Sequence, residues 1–149
     1  MVSMENAAML TAATLLSAGC ASVPDLSPDE MALISRDWFL VSIGSAQEEI
    51  RLRSAMSERH AINFDQDHQI SLQLDCNRGT ATWSISRGAS GSGRLMIGPI
   101  AATRALCPTP SYGERMAAEL PQATGYDLID GGRSLTILTP ADIYTFEAR

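Results

Sequence analysis

The chain has 149 residues, is 45 % hydrophobic and 19 % charged, and carries a formal net charge of −6. A chain this long buries roughly two thirds of its unfolded surface, so it needs no metal or disulfide framework to fold. Ordinary apolar content argues against disorder, and the size argues against two domains. An isoelectric point of about 4.8 argues against a nucleic-acid-coating role, which needs a basic face to displace counterions.

All 11 basic side chains are Arg, and Lys is absent. That removes Schiff-base chemistry, phosphate-loop lysines and Ser–Lys dyads. Arg-only usage also follows simply from a GC-rich genome. Near its start the chain carries an uncharged run over residues 7–18, AAMLTAATLLSA. A membrane-spanning helix needs about 20 apolar residues, so this run is too short to span and has the length of a signal-peptide core. It ends in Leu16-Ser17-Ala18-Gly19-Cys20. Small residues just before a cysteine resemble a bacterial lipoprotein lipobox. That resemblance implies removal of residues 1–19 and lipidation of Cys20. The alternative is an ordinary buried N-terminal helix.

Residues 20–35 read as a tether, because Pro24, Pro28, Ser22, Ser27 and three acids between 25 and 30 suit an extended spacer. Ala21 rather than Asp follows the cysteine. In a Gram-negative cell this implies sorting to the outer membrane, facing the periplasm. Acyl chains hold by burial at about 0.8 kcal/mol per CH₂, so several chains anchor firmly.

The domain proper is expected over residues 36–149. Asp37 to Ile43 is β-rich and stops at Gly44. Residues 45–59 read as a loop or irregular strand. Ala61 to Phe64 is a short strand, closed by the polar turn Asp65-Gln66-Asp67-His68. Gln69 to Asp75 alternates, with Ile70, Leu72 and Leu74 on one face. Asn77-Arg78-Gly79 is expected to turn the chain into Thr80–Ser86, making a hairpin. Residues 87–93 form a loop, and Arg94 to Gly98 is a further strand. Ser111 and Glu114 have capping-box spacing, so the one convincing helix is expected over Glu114 to Leu120. Tyr126–Ile129, Ser134–Leu138 and Ile143–Phe146 close the chain as strands. The expected fold is mainly β (α+β): an antiparallel, barrel-like twisted sheet of about eight strands with one packed helix.

The order of landmarks resembles a known family. Trp38 opens the first strand. Asp75-Cys76-Asn77-Arg78-Gly79 is similar to a Gly-Cys-Asn-x-x-x-Gly element, with Asp75 where the family has Gly and Gly79 early. Leu95 to Cys107, with Thr103, is similar to the family's next stretch. Together these resemble the META domain family over about residues 36–147. The resemblance implies a barrel-like antiparallel fold with a helix against it, and Asp75, Asn77, Gly79 and Thr103 as its motif positions. It implies no catalytic activity.

Cys76 and Cys107 are the even pair left once Cys20 is lipidated. In an oxidising compartment they are candidates for a disulfide worth roughly 3–4 kcal/mol. Two buried free thiols are the alternative. A catalytic thiol needs a base, and neither His lies close in sequence. His60, Asp65, Asp67 and His68 cluster around a turn without metal-ligand spacing, so they read as a solvated turn. Glu48, Glu49 and Glu58 read as a solvated face. The glycine-rich run before residue 94 has neither a lysine nor a following helix, so it lacks a phosphate cradle. No Gly-x-Ser-x-Gly elbow is present. Trp38, Phe64 and Trp83 read as core.

No catalytic residue, metal or cofactor is therefore expected. The leading expectation is a non-enzymatic, lipid-anchored envelope protein with a structural, partner-binding or stress-related role. It would hold the membrane through its lipid, bind an envelope protein and not bind nucleic acid. The alternative is a small-molecule or lipid carrier using the barrel interior. A packed interior of Leu72, Leu74, Ile85, Leu95, Ile97 and Ile137 would separate the two.

Overall fold

Apolar residues at every second position let a strand bury one face and leave the other wet. In a computed structural model that describes residues 25–87 and 89–149, this alternation produces a closed barrel. The strands are β1 (Asp37–Gly44), β2 (Glu49–Arg51), β3 (His60–Phe64), β4 (Gln69–Leu74), β5 (Asn77–Arg87), β6 (Ser92–Ile97), β7 (Ala101–Ala102), β8 (Gly125–Ile129), β9 (Ser134–Leu138) and β10 (Ile143–Ala148). Around the barrel the order is β1-β3-β4-β5-β6-β8-β9-β10, and β10 pairs back to β1. The closing register runs from Trp38 opposite Ala148 to Gly44 opposite Ile143, with a bulge between Leu40 and Ser42. Short β2 pairs antiparallel with the end of β1, and β7 pairs with the start of β5. The expected mainly-β, barrel-like fold is the fold observed.

Closure removes exposed sheet edges and turns the inner faces into one core. Trp38, Leu40, Ile62, Phe64, Ile70, Leu72, Leu74, Trp83, Leu95, Ile97, Tyr126, Leu135, Ile137, Tyr144 and Phe146 are all buried there. Phe64 and Trp83 meet edge to face at 5.0 Å between centroids. Ile85 is only partly buried. The join between β6 and β8 is short, pairing Ser92 with Asp127 and Gly93 with Tyr126. Helix α3 (Gly113–Glu119) and a following 3₁₀ turn (Leu120–Gln122) lie nearby, and they bury Met116 and Leu120 in the core.

Residues 28–34 depart from the expected tether at 20–35. They form helix α1 (Pro28–Ile34). Proline at the first helical position starts a helix rather than breaking one, because the N–H it lacks has no partner there anyway. Ser27 accepts from the Glu30 backbone N–H, and the Glu30 carboxylate accepts from Ser27 N–H, which completes a capping box. Leu33 is buried, and its carbonyl accepts from Trp38 Nε1 at 2.9 Å. Asp29 accepts from Tyr126 Oη at 2.7 Å and from Gly91 N–H, so α1 ties the β5–β6 turn to β8.

Other local expectations also change. Residues 45–59 contain β2 and a single helical turn, α2 (Ser54–Ser57). Asn77, Arg78 and Gly79 are strand residues paired with Leu74, Gln73 and Leu72, so the turn lies at Asp75-Cys76. Helix α3 begins at Gly113 after Tyr112, and no side chain caps it, so the expected Ser111 capping box does not form. Residues 1–24, with the run at 7–18 and Cys20, lie outside the described residues.

Candidate functional site

Asp75 and Cys76 join β4 to β5 in a turn of two residues. The first position of such a turn favours glycine, because it needs positive φ. Asp75 adopts φ +63°. It therefore occupies the conformation for which glycine is suited. Its carboxylate is 4 % exposed and pairs with Arg59 at 2.8 Å. Its backbone N–H donates to the Arg59 carbonyl at 2.7 Å.

Cys76 and Cys107 are joined by a disulfide. Asn77, buried beside them, stitches the same two segments through its amide. Its Oδ1 accepts from Ala105 N–H at 2.7 Å and from Thr103 Oγ1 at 3.0 Å. Its Nδ2 donates to the Ala105 carbonyl at 2.9 Å. Thr103 Oγ1 in turn accepts from Arg78 N–H at 3.0 Å. A Cβ on Gly79 would come within 2.9 Å of Ile100 Cγ2 and 3.0 Å of Leu74 Cδ1. Glycine thus lets the 100–102 segment lie against β5. Asn77, Thr103 and the disulfide form a framework that holds segment 103–107 at the barrel surface, while Asp75 shapes the turn before it and Gly79 admits residues 100–102.

The framework forms one wall of a groove of about 390 Å³ on the outside of the barrel. Leu74, Ala102, Thr103 and Arg104 lie on one side, and Glu114 and Ala118 of α3 on the other. Leu106 stands beside it in the same segment, 97 % exposed. Helix α3 reaches this position because Gly113 has no side chain: a Cβ there would fall 2.3 Å from the Leu74 carbonyl oxygen. The groove offers a guanidinium, a carboxylate and small apolar surfaces.

His60 is fully buried behind the turn. Its Nδ1 lies 2.8 Å from the Met56 carbonyl oxygen, and its Nε2 accepts from Tyr112 N–H at 3.1 Å. Nδ1 therefore carries the hydrogen. Burial lowers its pKa below the ordinary 6.5, against opposing pulls from the Met56 bond and Asp75. With both nitrogens engaged, His60 cannot reach a substrate proton. His68 is at the β3–β4 turn, with its ring 5.4 Å from Trp83. Asp65 spends its carboxylate on the backbone N–H groups of Asp67 and Gln69. Glu49 pairs with Arg51, and Glu58 with Arg149. Among the described residues no group of three His, Cys, Asp or Glu could hold a metal ion, and no helix is long and apolar enough to cross a membrane.

Sequence reasoning brought Cys76, Cys107 and the motif positions into view, and they meet in space. It placed His60 in a solvated turn, whereas the ring is fully buried on the inner face of β3, and it missed Arg59, Tyr112 and Gly113. His60 carried a usable signal, since it shares the period-two face of Ile62 and Phe64. Gly113 carried none, because its role is a contact with a distant carbonyl.

A family model for the META domain matches residues 31–148. No curated protein matches the chain significantly. Among solved structures, the chain is similar to an NMR structure of a protein from Burkholderia xenovorans, with 16 % identity and a TM-score of 0.58. That match covers 92 % of this chain and 99 % of the other. A second NMR structure matches with 23 % identity and a TM-score of 0.60, covering 79 % of this chain and 92 % of the other. The crystal structure of a DUF4847 family protein from Bacteroides vulgatus matches with 16 % identity and a TM-score of 0.54, covering 79 % and 95 %. At these identities the likeness is one of fold.

Proposed function

Because the chain belongs to the META domain family, we propose that it is a non-enzymatic protein of the bacterial cell envelope. In this reading lipid on Cys20 holds it to the outer membrane, facing the periplasm, and it binds a partner protein through the outer face of its barrel. The packed interior carries the reading. Leu72, Leu74, Leu95, Ile97 and Ile137 are buried in one core with Trp38, Trp83 and Tyr144, so the space a carrier would use is filled by side chains. The surface left for recognition is the groove between α3 and the disulfide-bonded segment. A disulfide joining Cys76 to Cys107 suits an oxidising compartment. The lipobox-like Leu16-Ser17-Ala18-Gly19-Cys20 supplies the anchor.

Membrane fractionation of the wild-type chain and Cys20→Ser tests the anchor. The variant should leave the membrane fraction, and an unchanged distribution would contradict lipidation. Native mass spectrometry of gently purified protein tests the carrier alternative. The bare protein mass is expected, and a stoichiometric small-molecule adduct would favour the carrier.

A further inference from the structure

We propose that the Cys76–Cys107 disulfide is a thiol-exchange site with a fixed direction: an incoming thiolate attacks Sγ of Cys76, and Cys107 departs as the thiolate. The proposal does not depend on the envelope reading. It rests on the unequal surroundings of the two cysteines. Cys76 is exposed at the tip of the β4–β5 turn, whereas Cys107 is half-buried. The backbone N–H of Cys76 and Nδ2 of Asn77 both donate to Sγ of Cys107, each at 3.3 Å. Both sulfurs lie 3.9 Å from the Ala105 carbonyl oxygen, so that contact does not distinguish them.

Hydrogen-bond donors favour a thiolate over a neutral sulfur, and a thiol of lower pKa leaves faster. Two donors aimed at Cys107 therefore make it the better leaving group. The Arg78 guanidinium, bound to the carbonyls of Asp75 and Asn77, adds positive charge to the same turn. Nucleophile access and leaving-group stabilisation point the same way.

In the first step the thiolate sulfur bonds to Cys76 Sγ. The Sγ–Sγ bond breaks, and its electron pair leaves with Cys107. A second thiol then takes the first thiol's sulfur from Cys76. The two reagent sulfurs end as a disulfide, and their protons end on Cys76 and Cys107. The reductant class is a low-molecular-weight thiol or a protein dithiol. Segment 103–105 is also held by hydrogen bonds to Asn77, so exchange would open the covalent tie without removing every tie to the wall of the groove.

The test uses the full chain carrying Cys20→Ser, so that only Cys76 and Cys107 report. The oxidised protein is pulsed with reduced glutathione, quenched in acid at successive times and mapped by peptide mass spectrometry. Glutathione should appear on Cys76 in roughly tenfold excess over Cys107 at early times. A parallel arm with a dithiol protein carrying one cysteine of its pair should be trapped on Cys76 as well. Equal adducts, an excess on Cys107, reduction with no Cys76 adduct, or a disulfide that stays intact would each overturn the proposal. A second readout is the pH profile of alkylation of the reduced chain. Cys107 should ionise below the ordinary thiol value and Cys76 should not; the reverse order would overturn the assignment.

Discussion

The Nε2 of buried His60 accepts the backbone N–H of Tyr112 at 3.1 Å, so a neutral imidazole holds the residue from which α3 starts. Protonation would set one N–H against another. The groups facing the ring are the Asp75 carboxylate and the Arg59 guanidinium, which act in opposite directions. Burial wins and lowers the native pKa below 6.5. Between those two values the unfolded chain binds more protons than the native one, so stability rises with pH there. The stability supported by neutral His60 is complete above the unfolded value and is lost as pH falls through the native one. Urea midpoints measured from about pH 7 to about pH 5 should fall for the wild type. His60→Gln should lack that part of the slope, and identical slopes would contradict the assignment.

Asp75 tests the turn. Asp75→Ala and Asp75→Gly both remove the pair with Arg59, but only glycine accepts φ +63° without strain. The alanine variant should be less stable than the glycine variant by about 1 kcal/mol. Equal stabilities in denaturant titrations would mean that the turn relaxes.

Asn77 and the disulfide hold the same segment, so their losses should not add. Asn77→Ala should cost about 1–3 kcal/mol while the disulfide is intact. Reducing that variant should cost more than reducing the wild type, because only the Arg78–Thr103 hydrogen bonds then hold residues 103–107. Urea titrations with and without reductant measure the coupling, and simple additivity would contradict it.

Gly113→Ala would force a Cβ to within 2.3 Å of the Leu74 carbonyl oxygen. Backbone must move, so the variant should lose about 1–3 kcal/mol. Thermal unfolding tests this. A change near zero would mean that α3 does not depend on the close approach.

Much of the barrel was legible because burial alternates along its strands. Ile70, Leu72 and Leu74 marked an inner face in the sequence, and β4 buries all of them. Turns and caps were less legible. Asn77-Arg78-Gly79 has turn composition, yet Gly79 serves close packing and Asn77 holds a distant loop. Pro28 looked like a breaker within a tether, yet it opens α1 behind the Ser27–Glu30 capping box. The Cys pair was legible by counting. The role of His60 was not, because it depends on Tyr112, far along the chain. The groove likewise arises only when α3 packs beside β4.

The most direct test of the account places a photo-crosslinking residue in the groove, at Arg104 or Ala118, in living cells. The same residue at Asp67, on the β3–β4 turn, serves as control. The account predicts a discrete protein adduct from the groove positions, lost on adding Gly113→Ala, and none from Asp67. Identical adduct patterns from all three positions would contradict a partner-binding role for this face.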